Sequence, residues 1–256
     1  MAAKESWSVT PTYLLRRSCI RDVTTGWPAG RFLEIGAGTG SLTRDFLDRG
    51  SCGTCFDLGA ASRESLSRNL TAYGDRVQIV ATLDLLPERS YRHLFAFEVL
   101  EHVEDDLGAL RSWSRHLECG GRVLVSVPAH PRLFSADDIA MGHLRRYRRD
   151  QLYGLLSAAG YRRIEIHCYG YPLGVWTAYM KRPLFALGLL RPPPSKKPAR
   201  ERSIDSGVQR FPLTRLLSRT LSPALLAPFL ALQRRFYASD LGTGFVASGV
   251  LSGRAR

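Results

Sequence analysis

The segment FLEIGAGTGSLT, residues 32–43, constrains this chain more than any other. An apolar run ends in glycines at every second position, Gly36, Gly38 and Gly40, and one acid, Glu34, sits inside the run. A short apolar run bounded by turn residues fits a strand buried on both faces. Glycines directly after it let a ligand lie on the backbone. A helix from Ser41 then offers unpaired amides and a positive dipole end, which suit a carboxylate as well as a phosphate. A GxGxxG dinucleotide loop would place its last glycine at Ser41, and no P-loop lysine follows.

Strand and helix patterns alternate along the rest of the chain. Strands are expected at Thr54–Leu58, Val77–Ala81, Leu94–Val99, RVLVSVP after a turn at Gly120–Gly121, Arg163–Tyr169, and residues 244–253. Helices are expected at Ser62–Tyr73, Asp105–Glu118 and Asp150–Ala159. The pattern predicts an α/β fold: a doubly wound, mostly parallel, seven-stranded Rossmann-like sheet with its last strand antiparallel. Residues 1–170 and 241–256 are expected to form the ligand-binding domain. Residues 171–240 read as a helical insertion between strands six and seven, with a flexible, Pro-rich basic loop near 191–210.

The ligand follows from the acids. Glu34, at the end of strand one, repels a pyrophosphate and suits an ammonium or sulfonium. Asp57 closes strand two about 20 residues later, where a carboxylate accepts hydrogen bonds from ribose hydroxyls. Asp84 follows strand three, within reach of an adenine amino group. A ligand with a carboxylate, an amine, a ribose and an adenine, and no phosphate, is S-adenosylmethionine.

Residues 32–129 resemble class I S-adenosylmethionine-dependent methyltransferases, in the small-molecule branch with the ubiquinone- and menaquinone-biosynthesis enzymes. LEIGAGTG matches the first motif, CFDL the acidic end of strand two, FEVLEHVEDD the segment after strand four, and LECGGRVLVSVP the strand-five motif. GHLRRYRRDQLYGLLSAAGY is similar to a later stretch of the same branch. Arg92-His93 departs from the Phe-Asp usual there. The resemblance implies that Gly36, Ala37, Gly38 and Gly40 carry the methionine, Asp57 and Leu58 the ribose, and Asp84 and Leu85 the adenine. Phe97 and Glu98 would line the sulfonium side.

A methyl donor that is already activated leaves the protein mainly to orient the acceptor, with a base only where the nucleophile must lose a proton. His102, just past strand four, and His143, in MGHLRRY, are the base candidates, with His130 a weaker third. Arg145, Arg146, Arg148 and Arg149 around Tyr147 read as a basic helix start pairing with Asp150 or Glu118, or as a reader of an anionic acceptor. Five cysteines include the CxxC Cys52–Cys55. It has no second pair and no paired His nearby, so it reads as two buried thiols of a reducing compartment, and no metal site is expected.

The expected function is methyl transfer from S-adenosylmethionine to O, N or C of a small, partly apolar, aromatic or acidic acceptor. The setting is bacterial secondary, lipid or quinone metabolism, the bacterial part read from abundant Arg, Ala and Gly. A net charge of +13 keeps RNA or protein methylation open as an alternative, but no nucleic-acid appendage accompanies it, and nucleic acid is not the expected partner. A non-catalytic cofactor-binding scaffold is the alternative of another class, opposed by the intact acids. With Trp176, Tyr179 and Phe229 among basic residues, the insertion fits a lid, an acceptor-binding element, a homodimer interface, a peripheral membrane patch, or a helical cover on the sheet. No apolar leader and no unbroken apolar run of spanning length are seen, so a cytoplasmic location is expected.

Overall fold

The computed structural model describes residues 10–186 and 223–253. Seven strands form one sheet: β1 (Arg31–Ile35), β2 (Cys52–Phe56), β3 (Val77–Val80), β4 (Tyr91–Phe97), β5 (Leu117–Pro128), β6 (Tyr161–Tyr169) and β7 (Gly244–Leu251). Their order is β3-β2-β1-β4-β5-β7-β6. β7 slots between β5 and β6 and runs antiparallel to both, while the pairs among β1 to β5 are parallel. The expected doubly wound, mostly parallel sheet is what forms.

Helices cover both faces. On one side lie α1 (Pro11–Val23), α2 (Thr43–Leu47) and α3 (Ala60–Leu70). Their Leu15, Ile20, Phe46 and Leu66 pack with Phe32, Phe95 and Phe97 of the sheet. On the other lie α4 (Asp106–Ser114) and α6 (Arg149–Ala158), whose Leu110, Trp113, Leu152 and Leu156 meet Leu33, Leu94 and Ala96. Successive residues of β1 and β4 thus feed opposite layers, as the pleat requires. The Phe46 and Phe95 rings stack with centroids 4.1 Å apart.

Local chemistry sets the helix starts. Thr10 accepts the Tyr13 amide ahead of Pro11, and Asp105 accepts the Gly108 amide at the start of α4. A short helix not expected from the sequence, α5 (Ala136–Met141), begins at Ser135, whose amide donates to Asp138, and ends at Gly142 in the left-handed region.

Several boundaries move. β2 starts at Cys52 and β4 at Tyr91, both earlier than expected. The helix expected to reach Glu118 ends at Ser114, and Gly120–Gly121 lie inside β5, where the pairing of β4 with β5 shifts register. The pair expected to be buried divides: Cys55 is buried and Cys52 is exposed.

Of the 171–240 insertion, residues 171–186 and 223–240 are described; their helices are α7 (Leu173–Ala186) and α8 (Pro223–Gln233), the latter followed by a short turn to Phe236. The expected basic loop at 191–210 lies outside the described residues. Gln233 clamps α1 to the sheet: its Nε2 donates to Leu15 O and its Oε1 accepts the Gly170 amide. Arg234 and the Tyr237 hydroxyl close on Asp22. Among the described residues no helix is long and apolar enough to cross a membrane.

Candidate functional site

The glycine loop sits at the carboxyl ends of β1 and β2, near the point where the strand order reverses. Gly36, Gly38 and Gly40 all have positive φ. A Cβ on Gly36 would lie 2.7 Å from Val99 Cγ2, so this turn closes against the segment after β4 only without a side chain. Part of the loop's amide supply is internally spent. Gly36 and Ala37 donate to Phe56 O, and Gly40 donates to Ala37 O.

Asp57 is the anchor of this turn. It is buried, and its two oxygens accept the Gly38 amide at 2.9 Å and the Gly59 amide at 2.8 Å. A carboxylate has about four acceptor sites, so two remain for hydroxyl donors. Beside it Leu58 is 55% exposed, and at the next strand end Leu85 is 87% exposed, two apolar side chains bare to solvent. Asp84 is also exposed and accepts from the Thr82 hydroxyl.

Two expected site residues turn inward. Glu34 shares the parity of Phe32, so it enters the α1–α2–α3 layer, where its Oε2 accepts from Thr43 Oγ1 at 2.6 Å. Burial pushes its carboxyl up to about 8, against the smaller opposing pull of the Thr43 hydrogen bond. Phe97 is spent on the aromatic stack with Phe46 and Phe95.

Glu98 faces the other way, into a cavity of about 290 Å³ at the ends of β4, β5 and β6. Its backbone has φ +55, and its carboxylate takes the Ser126 hydroxyl at 3.0 Å and Arg16 at 3.2 Å. Leu133, Tyr169 and Ala178 supply apolar wall, and His143 and Arg146 a polar side. α1, α5 and α7 close the space over the sheet.

The polar side continues inward as a cluster that sequence reasoning only half found. The His143 Nδ1–H donates to Asp138 at 2.8 Å, and the His102 Nδ1–H donates to Gly142 O at 3.1 Å. The two rings meet edge to face with centroids 4.8 Å apart. Glu101 lies against them, fully buried, with both carboxyl oxygens lacking a hydrogen-bond partner. Its Oε1 is 3.9 Å from His143 Nε2. Burial, then the charge of Glu98, holds the Glu101 carboxyl well above the usual range, and burial lowers His102 to about 4. Glu101 was missed because it reads as part of LEH; a carboxylate followed directly by a histidine was the available signal. His130 has φ +62 and lies outside the cavity wall.

The arginines of the 145–149 segment are mostly structural. Arg145 pairs with Asp106, Arg148 with Asp150 as expected, and Arg149 with Asp240. Arg146 alone among them lines the cavity, held by Asp138 at 2.9 Å.

Residues 14–166 match the family model described as a methyltransferase domain. The chain therefore belongs to the methyltransferase-domain family, and it is a class I enzyme dependent on S-adenosylmethionine. No curated protein matches it. Among solved structures it is similar to the [4+2]-cyclase SpnF, with TM-score 0.59, 17% identity, and coverage of 94% of this chain and 82% of that one. It is also similar to the Burkholderia thailandensis 1,6-didemethyltoxoflavin-N1-methyltransferase, with TM-score 0.51, 21% identity, and coverage of 62% and 72%. A third is phosphoethanolamine N-methyltransferase 2 of Haemonchus contortus in complex with S-adenosyl-L-methionine, with TM-score 0.54, 16% identity, and coverage of 95% and 58%. At these identities the likeness is one of fold.

Proposed function

We propose that the chain methylates a small, partly apolar acceptor held in the cavity between β4, β5, β6 and α7. One observation carries this reading: a space of about 290 Å³ bounded by Leu133, Tyr169 and Ala178 on one side and Glu98, His143 and Arg146 on the other. That volume, near the lower end for ligand pockets, suits a compact organic molecule with one polar group and is too small for a nucleic-acid duplex. The charge that favoured RNA is partly consumed, since Arg145, Arg148, Arg149 and Arg234 each pair with an acid of the same chain.

On this reading S-adenosylmethionine lies over Gly36, Gly38 and Gly40. Its ribose meets the remaining acceptor sites of Asp57, its base lies between Leu58 and Leu85, and Asp84 takes the adenine amino group. Glu34 supports the loop from below. The sulfonium side borders Glu98, and His143 marks the polar pole of the acceptor. When bound, the donor supplies an activated methyl group; the chain supplies alignment and exclusion of water. The similar toxoflavin and phosphoethanolamine enzymes are named for small acceptors, which supports the same class here.

The test is incubation with methyl-labelled S-adenosylmethionine and a small-molecule extract, with bulk RNA and protein run in parallel. Labelled product among the small molecules, heavier by one methyl group, is expected. Label confined to RNA or protein, or a chain that does not bind S-adenosylhomocysteine, sinks the proposal.

A further inference from the structure

The cluster behind His143 has a composition that acid–base chemistry does not explain. Glu101 is fully enclosed and neither of its oxygens has a hydrogen-bond partner, an expensive arrangement unless something else is accommodated there. Both neighbouring imidazoles use Nδ1–H on an oxygen, His102 on Gly142 O and His143 on Asp138. That tautomer leaves each Nε2 as a lone-pair donor, and outer-sphere contacts of this kind orient metal-binding histidines. One ligand atom from each of Glu101, His102 and His143 lies within 4.8 Å of the others. Ligands about 2.1 Å from a common ion stand about 3 Å or more apart, so small side-chain rotations close the set.

The scaffold is fixed before any ion arrives. The Leu144 amide donates to Glu101 O at 2.8 Å. The Tyr147 hydroxyl bridges Leu100 O and Asp106, and Arg146 donates to the same Asp138 oxygen as His143 while Ser135 holds the other. Two segments some 40 residues apart in sequence are locked together around the three donors.

We propose that Glu101, His102 and His143 bind one divalent first-row transition-metal ion, and that a hydroxyl of the acceptor completes its coordination from the cavity that His143 lines. Two imidazoles and one carboxylate suit zinc, iron, cobalt or manganese and leave positions open. The second half of the proposal rests on the methyltransferase reading and deepens it by assigning oxygen as the atom methylated. A hydroxyl on the ion gives up its proton more readily, and that proton passes to water in the cavity. The oxygen lone pair forms the new C–O bond to the methyl carbon. The C–S bond breaks with its electron pair left on sulfur, giving a methyl ether and S-adenosylhomocysteine.

The probe is Co²⁺, added to full-length chain stripped with a chelator and dialysed, and read by visible ligand-field absorption and calorimetry. One Co²⁺ per chain, displaced by Zn²⁺, is expected. Glu101→Gln and His143→Ala should abolish that absorption. Asp138→Asn, which acts through His143, should weaken binding about 10- to 100-fold. S-Adenosylhomocysteine affinity, measured on the same preparations, should stay within about threefold and certifies that each variant is folded. Where His143→Ala fails this control, His143→Gln takes its place. Absence of Co²⁺ binding, or binding that the folded variants leave unchanged, overturns the ion site while leaving the methyltransferase reading intact. Co²⁺ bound through these residues by a chain that does not take S-adenosylhomocysteine does the reverse. A product methylated on nitrogen or carbon overturns the assignment of oxygen.

Discussion

The Asp57 carboxylate accepts the Gly38 amide at 2.9 Å, tying the end of β2 to a loop 19 residues earlier in the chain. The same side chain caps the turn into α3 through the Gly59 amide. One acid therefore shapes the glycine loop and retains acceptor sites for a ligand. Asp57→Ala should weaken S-adenosylhomocysteine binding by ~1–3 kcal/mol, about 5- to 150-fold, because a buried amide also loses its charged partner. Calorimetric titration checks this, and an unchanged affinity would move the ribose elsewhere.

Glu34 predicts an unusual pH response. Burial raises its carboxyl from 4.5 to about 8, so the folded chain holds this proton more tightly than the unfolded chain. The group's contribution to stability is full below about pH 4.5 and is lost as pH rises through about 8. Glu34→Gln keeps an acceptor for the Thr43 hydroxyl and removes the ionisation. Urea denaturation at several pH values across that window should show a falling midpoint in the parent chain and a flatter profile in the variant.

Asp45 gives the opposite slope. Its carboxylate is buried and takes forked hydrogen bonds from Arg17 and Arg21 of α1. Burial alone would raise it, but the two guanidinium groups outweigh burial and hold it below 3.8. The stabilisation is present above 3.8 and disappears as the pH falls through its depressed folded value. Asp45→Ala should cost about 1–2 kcal/mol at pH 7, at the low end for charged hydrogen bonds because Arg21 is largely exposed and screened. Thermal denaturation at low and neutral pH measures both effects.

Gly36→Ala tests how the loop closes. The substitution forces an alanine to φ +65 and a Cβ to 2.7 Å from Val99. Left-handed backbone alone costs roughly 1–2 kcal/mol. Adding Val99→Ala should recover the steric part and leave the backbone part, so the double variant should melt between the parent and Gly36→Ala. A double variant no better than the single one would show that Val99 does not set the closure.

What the sequence revealed and what it hid follow from the range of the interactions. The glycine turn, Asp57 and the β-strand pattern are local, and each is visible in consecutive residues of 32–58. The insertion of β7 between β5 and β6 is a long-range pairing that periodicity does not encode. Glu34 looked available to a ligand because its charge was read without its parity; the pleat turns it onto Thr43. Asp138 was invisible as an orienting group because it becomes one only when α5 forms and Gly142 reverses the chain, bringing His143 back to it. In the basic segment the Arg148–Asp150 pair was legible from spacing, whereas Arg149 finds Asp240, 91 residues away.

A substitution in the cavity wall separates the proposed acceptor cavity from the proposed donor site. Ala178 on α7 and Ala136 on α5 both line the cavity, and neither belongs to the glycine loop or the ends of β2 and β3. Replacing Ala178 by leucine adds three carbons to a space of about 290 Å³. A small acceptor should then bind less well or leave the attack line, and misalignment of even about 1 Å can cost on the order of 100-fold in rate. Once an acceptor is in hand, Ala178→Leu should raise its KM or lower kcat while S-adenosylhomocysteine affinity and melting temperature stay near the parent values. Equal losses at both sites would mean that α7 packs the whole domain. An unaffected acceptor KM and kcat would place the acceptor outside this cavity.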